Sequence, residues 1–301
     1  MVRRPAVAGA FYEGDREGLV QSIEECFLSR LGPGHPPQSP SQGERRVVGL
    51  VCPHAGYMYS GMAAAHAFDA LAADGLPDVA VILGPNHHGL GEAVAVNTED
   101  AWATPLGTVQ VDRETAKAIV DASSYAREDD LAHAREHSIE VQIPFLQYLA
   151  LRPGSGQALR PGSGQAGDGV KIVPIAIAHL SESAARALVA DLGPAIAAAL
   201  AGKSAVVIAS TDFTHYESKA RANAQDSLAL EKITALDPEG LLRVVEENSM
   251  TMCGATGTAV MLAACKELGA KSARVLAYYT SGDVIGDTSQ VVGYGAASIE
   301  Y

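Results

Sequence analysis

The stretch from Arg46 to Cys52 (RVVGLVC) holds no charge after its first residue and ends abruptly at Pro53, with His54 directly behind it. An unbroken run of Val, Leu and Gly without polar alternation is the pattern of a strand covered on both faces, as in a parallel sheet. A parallel sheet demands crossover connections, and the chain supplies one. After the tight Ala55-Gly56-Tyr57 exit, Ser60 opens an Ala-rich helix that ends near Ala73. His54 therefore sits on the loop leaving the carboxyl end of a strand, where open α/β sheets place their ligands.

The same pattern returns one unit later. Asp78 to Leu83 (DVAVIL) is a second buried-strand run, broken by Gly84 and Pro85, and it delivers Asn86, His87 and His88. His54 and His87 lie 33 residues apart, close to the ~30 residues of a strand–helix–strand unit. As parallel neighbours, the two strands would present their imidazoles on one rim. Two readings stay open: both histidines are polar turn residues, or together they hold a metal ion.

Alternation continues along the chain. Ala6 to Tyr12 reads as an edge strand or an extended arm over the sheet. Asp15 to Leu31 reads as an amphipathic helix with Leu19, Ile23, Cys26 and Phe27 on one face. Gly32 to Gly43 (GPGHPPQSPSQG) has the composition of a mobile surface loop. A meander spans Glu92 to Val111 around Thr104-Pro105-Leu106-Gly107, and Asp112 caps a helix through Asp121. Glu136 to Ala150 (EHSIEVQIPFLQYLA) reads as a helix that Pro144 kinks or splits.

The octapeptide LRPGSGQA at 151–158 then repeats unchanged at 159–166. Two short Gly/Ser-rich copies do not make a solenoid and read as a duplicated flexible loop. Val170 to Ile177 is a third strand, Ser181 N-caps a long helix towards Gly202, and Ala205 to Ser210 (AVVIAS) is a fourth buried strand. Helices follow at 217–235 and 238–248, a further one runs from Cys253-Gly254 to Leu268, and Ser272 to Thr280 and Gln290 to Ile299 are closing strands. No linker interrupts the series. Residues 1–301 are expected to form one three-layer α/β/α domain with a mostly parallel central sheet and flexible loops at about 32–45 and 151–169.

Composition narrows the function. A hydrophobic content of 48% is ample for a full core, and a net charge of −13 argues against nucleic acid and anionic membranes as partners. The start, MVRRPAVAGAFYEGD, lacks the apolar core of a signal peptide. No uninterrupted apolar stretch approaches the ~20 residues of a membrane helix. Cys26, Cys52, Cys253 and Cys265 are few and irregularly spaced for a disulfide framework. A reduced, cytoplasmic protein is expected.

Among local motifs, Ala197 to Ser204 (AAALAGKS) imitates a phosphate-binding loop but leads from a helix into a strand, the reverse of what phosphate binding needs. No G-x-S-x-G elbow exists. His133 and His137 have the spacing of paired metal ligands on a helix; the simpler reading puts His133 ahead of the helix, with His137 and Glu140 structural or lining a pocket. Asp212 and His215 follow the fourth strand as His54 and His87 follow theirs, an arrangement suited to a carboxylate-oriented general base; the simpler alternative is a capping Asp with an exposed His. Cys253 stands at a helix start, where unpaired amides favour thiolate, but with no recognised partner a structural role is the simpler reading. The other three cysteines read as core.

Taken in order, PHAGYMYSG (53–61), LGPNHHG (83–89), EHSIE (136–140), STDFTH (210–215) and CG (253–254), preceded by PAVAGAFY (5–12), resemble the Memo family. Its bacterial and archaeal members are often called AmmeMemoRadiSam system protein B. The resemblance spans nearly the whole chain, and the duplicated loop at 151–166 departs from the family pattern. That family is similar in fold to the class III extradiol ring-cleaving dioxygenases, which hold Fe(II) with two histidines and a carboxylate.

The resemblance implies that His54 and His87 are the two histidine ligands and Cys253 the third ligand. It also implies that His215 is the pocket acid/base, with Asp212 beside it, and Tyr57, His88 and His137 are expected to line the pocket. Cysteine in place of carboxylate argues against simple ring cleavage, since thiolate is softer and oxidisable. One transition-metal ion is expected, iron(II) foremost, with copper or zinc as alternatives. A functional link to AMMECR-type and radical SAM proteins is implied too. Two functions remain: a metal-dependent redox or oxygenase-type enzyme acting on a small molecule or peptide, or a non-enzymatic metal- or peptide-binding module on the same fold.

Overall fold

The computed structural model describes residues 1–40, 45–152 and 169–301. Its first half contains β1 (Val2–Arg3), α1 (Arg16–Leu28), β2 (Val47–Cys52), α2 (Tyr57–Asp74), β3 (Val79–Pro85), β4 (Val94–Val96), β5 (Ala101–Thr104), β6 (Gly107–Gln110), α3 (Arg113–Ala122), β7 (Arg127–Glu128) and α4 (Ile143–Leu151). The second half contains β8 (Lys171–Ile177), α5 (Glu182–Leu200), β9 (Ala205–Ser210), β10 (His215–Glu217), α6 (Lys219–Thr234), α7 (Pro238–Glu247), α8 (Ala255–Glu267), β11 (Ser272–Thr280), α9 (Ser281–Ile285) and β12 (Val291–Glu300).

The large sheet runs β10-β12-β2-β9-β3-β8-β4-β7, with β11 also on β12. Its centre, β2-β9-β3-β8, is parallel, and the β12 and β4 flanks join it antiparallel. Side chains of each central strand alternate between two cores. Leu50, Cys52, Ile82 and Ile208 pack with Ile23 and Phe27 of α1, Phe68 of α2 and Phe145 of α4. Val51, Val81, Val207 and Ala209 pack with Leu188 and Leu192 of α5, Leu241 of α7 and Val260 of α8. These are the three layers that the uncharged strand runs require. A separate small sheet, β1-β5-β6, carries the amino-terminal strand.

Several expectations need correction. β2 and β3 are not neighbours: β9 lies between them, paired to both. α2 begins at Tyr57, not Ser60, because the Tyr57 amide donates to the Phe11 carbonyl at 2.8 Å, a cap supplied from outside the segment. Ala6 to Tyr12 forms turns, with the Ala10 and Phe11 amides both bonded to the Val7 carbonyl. α1 stops at Leu28, where Ser29 turns extended. The helix expected over 136–150 starts only at Ile143, and Pro144 sits in its first turn, where a missing N–H costs nothing. The duplicated octapeptide lies, apart from Leu151 and Arg152, outside the described residues.

Helix α5 alone among the described helices has the length and mean hydropathy to cross a membrane. It carries Arg186 and Asp191, and it buries Leu188, Leu192 and Ile196 against the sheet, as a core helix does. Ala197 to Ser204 runs from the end of α5 towards β9, so its amides have the wrong direction for a phosphate cradle.

Candidate metal centre

Three parallel strands end on one rim. His54 lies two residues past β2, His87 two past β3 and Asp212 two past β9. Cys253 arrives from the opposite direction, immediately ahead of Gly254, the N-cap of α8. A Cβ on Gly254 would sit 2.5 Å from the Ser210 carbonyl oxygen and from Cβ of Thr211. Only glycine lets the start of α8 come this close to the end of β9.

The result is a compact donor set. His54 Nε2 lies 3.3 Å from Cys253 Sγ, and the ligand atoms of His54, His87 and Cys253 all fall within 4.8 Å of one another. Bonds of ~2.0 Å to nitrogen and ~2.3 Å to sulfur put tetrahedral neighbours ~3.5 Å apart. The nitrogen–sulfur pair therefore fits one shared ion, and imidazole with thiolate suits zinc, iron or copper.

Burial favours the neutral form of His54 and His137. The rings of His54, His87 and His137 cluster, with centroids 5.3, 5.5 and 4.7 Å apart. Burial, then repulsion from His137 and His87, holds the His54 imidazolium well below the usual histidine range. Burial likewise lowers His137 to about 4. Cys253 behaves otherwise than its helix-start position suggests: burial and the nearby Asp212 carboxylate push its thiol up. In the metal-free protein desolvation outweighs the helix end, and metal binding has to release that proton.

Residues behind the donors hold them in place. Glu136 is 1% exposed; its carboxylate accepts from His87 Nδ1 at 2.9 Å and from the amides of His87, His137 and Ser138. Burial alone would raise this carboxyl, yet the hydrogen bond and charge of His87 bring it well below the usual carboxylate range. With its oxygens so engaged, Glu136 reads as support rather than as part of a second metal site with His87 and His137. On the other side, His54 Nδ1 lies 3.0 Å from Ser210 Oγ, which also meets the Ser138 carbonyl and Gln142 Nε2.

Sequence reasoning missed Glu136, Ser210 and Gln142 as site residues. Their signals were faint: an acid directly before a loop histidine, a lone hydroxyl closing the apolar run of β9, and a glutamine in a segment read as helix.

The remaining expected residues divide. Asp212 is buried; its Oδ1 accepts the His54 amide at 2.8 Å, and its own amide points at Cys253 Sγ at 3.3 Å. It thus ties two ligand-bearing loops together, and burial raises its carboxyl to about 6. The expected direct Asp212–His215 pair does not form. His215 Nδ1 instead lies 2.9 Å from the Thr251 carbonyl, and its amide donates to Thr251 Oγ1. His215 stands outside the three-donor set, close enough for its charge to act on His54 and Asp212.

His137 joins the imidazole cluster, whereas His133 is buried on the Ala95 carbonyl and against Trp102. Tyr57 turns its hydroxyl to the Val141 carbonyl and packs on Phe145, bordering a groove between α1 and the start of α2 rather than the imidazoles. His88 is exposed on the rim. Cys26, Cys52 and Cys265 are buried, as expected of core residues. A cavity of about 330 Å³ borders Cys253 and Pro85, walled by Ile177, Leu242 and Met252 together with the polar His179, Glu182 and Glu246.

Comparison with known proteins agrees over the whole length. The model of the Memo-like protein family matches residues 3–298. A MEMO1 family protein of Methanopyrus kandleri is 46% identical over 298 residues, covering 98% of either chain. One of Methanothermobacter thermautotrophicus is 45% identical, covering 99% of this chain and 100% of its own. One of the bacterium Thermotoga petrophila is 44% identical over 99% of both. With the ordered motifs brought together on one rim and relatives matching end to end, this chain belongs to the Memo family.

Proposed function

We propose that this protein binds one transition-metal ion through His54, His87 and Cys253 and carries out a metal-dependent redox or oxygenase-type reaction, with iron(II) as the favoured ion. The observation that carries the reading is the proximity of two imidazoles and a thiol, their ligand atoms all within 4.8 Å, where two strand ends meet the start of α8. When bound, the ion would supply Lewis acidity and, as iron or copper, one-electron chemistry.

The chain's own residues have separable tasks in this reading. His54 and His87 offer ring nitrogens, and Cys253 gives up its proton as the metal enters. His215, with Nδ1 engaged by the Thr251 carbonyl, keeps Nε2 to hold or move a proton. Asp212 anchors the His54 loop. The cavity beside Cys253 is at the small end of ligand pockets and sets the polar groups of His179, Glu182 and Glu246 among apolar walls, which suits a small organic substrate that carries polar groups. A cytoplasmic location and a functional link to AMMECR-type and radical SAM proteins belong to the same proposal.

Metal analysis of protein purified without chelator or affinity-tag metal, followed by oxygen uptake with catechol-type compounds after anaerobic loading with iron(II), tests it. Stoichiometric metal with oxygen consumption supports the enzyme. Metal uptake with no oxygen consumption across such compounds favours the binding module instead. Failure of wild-type protein to take up iron, copper or zinc overturns the site.

A further inference from the structure

We infer that Ser210, held between Gln142 and the Ser138 carbonyl, is a positioning residue that locks His54 in the tautomer able to ligate a metal through Nε2, and that Glu136 does the same for His87. The inference rests on the metal-binding reading above, but the tautomers themselves follow from a count of protons.

The count begins at Pro53. Its carbonyl can only accept, so the side chain of Gln142, 2.9 Å away, must present its NH₂ there. That orientation sends the second N–H to Ser210 Oγ at 2.8 Å. Ser210 has one proton, and the Ser138 carbonyl, again an acceptor only, takes it at 2.6 Å. Ser210 Oγ is left with acceptor capacity alone. One lone pair receives Gln142, and the other faces His54 Nδ1 at 3.0 Å. Nδ1 must therefore carry the hydrogen. The lone pair falls on Nε2, the nitrogen 3.3 Å from Cys253 Sγ.

Glu136 gives the same result at His87 by a different route. A carboxylate already receiving three backbone amides accepts from His87 Nδ1 as well, which leaves His87 Nε2 as the free donor. The two supports differ in charge, a neutral hydroxyl at His54 against a carboxylate at His87. Both supports trace to the single segment 136–142, which contributes none of the three donors.

A second observation bears on Gln142. Its Oε1 is buried with no hydrogen-bond partner among the described residues. An orphaned buried oxygen is unfavourable, and leucine would avoid it at similar volume. The residue makes sense at this place as an aligned donor to Ser210 and Pro53.

The test uses metal-free, ¹⁵N-histidine-labelled protein in long-range ¹H–¹⁵N correlation spectra, which distinguish Nδ1–H from Nε2–H, with zinc(II) titration as a separate readout. Wild-type protein should show Nδ1–H at both His54 and His87. Ser210→Ala should release His54 into a tautomer mixture, leave His87 unchanged and weaken zinc binding by ~10–100-fold. Ser210→Thr, which keeps the hydroxyl, should restore both readouts. A wild-type His54 carrying Nε2–H overturns the inference even if no variant folds, as does a Ser210→Ala protein with unchanged tautomer and affinity. Wild-type protein with both Nδ1–H tautomers but no zinc uptake upholds the tautomer assignment and overturns the metal reading.

Discussion

Cys253 Sγ lies 3.3 Å from His54 Nε2 and receives the Asp212 amide at 3.3 Å, so one sulfur meets both the candidate ligand and the loop that anchors it. The place of Cys253 before a helix was visible, but its burial and its distance from Asp212 belong to the tertiary fold, and they reverse the thiolate preference. His54 and His87 were readable because each ends an uncharged run, whereas Glu136 and Ser210 act on the far nitrogens of those rings, a relation no local pattern encodes. Cys253→Ser should weaken metal binding by ~100-fold or more, beyond the ~10–100-fold typical of a supporting residue, because a neutral hydroxyl is a far poorer donor than thiolate. His215→Ala should leave metal content near wild type while any turnover falls ~10²–10⁴-fold. Metal stoichiometry on these two variants beside His54→Ala decides the matter; if His215→Ala strips the metal as thoroughly as His54→Ala, His215 is a ligand. Gly254→Ala should lower stability by ~1–3 kcal/mol through overpacking against β9, read from urea midpoints.

Among elements, the buried strands were legible because apolar runs of their length fit only a sheet with helices on both faces. What escaped was contributed by partners distant in sequence. The order β2-β9-β3 inserts a strand from the second half of the chain between two from the first. The start of α2 is capped by Phe11, and the 136–142 segment is held by the amino-terminal strand. Arg3 donates to Glu140 at 2.6 Å and to the carbonyls of His133 and Glu136, with its guanidinium 4.0 Å over the Trp102 ring. Glu140 also accepts the Ala6 and Val7 amides and the Tyr12 hydroxyl. Glu140→Ala would leave Arg3 buried and unpaired, at a cost of ~3–5 kcal/mol. Replacing both partners, Arg3→Met with Glu140→Leu, should cost less than Glu140→Ala alone, and chemical denaturation of the two proteins checks the order.

For the whole molecule, the fold class and acidic charge could be read from sequence, while the balance of buried protons could not. Burial lowers His133 and His137 to about 4, and holds His54 well below the usual histidine range, against an unfolded value of ~6.5. Each contributes stability that is present above pH ~6.5 and lost as pH falls through its folded value. Asp212 works in the opposite sense: raised to about 6 from an unfolded ~3.9, it contributes stability present at low pH and lost as pH rises through about 6. Near pH ~5 the unfolded chain binds the protons of these three imidazoles that the folded one excludes, against the Asp212 proton that the folded chain keeps; burial also lowers His66 and raises Asp226, and these two act in opposite senses. The imidazoles win. Stability of the metal-free protein should rise with pH between about 4.5 and 6.5, by ~1–3 kcal/mol per pH unit. His133→Phe removes one of the three without touching a metal donor, so its slope should fall by about one proton, or ~1.4 kcal/mol per pH unit. Urea midpoints measured across that range decide it; a wild-type slope that is flat, or one that His133→Phe leaves unchanged, would show that these imidazoles reach solvent.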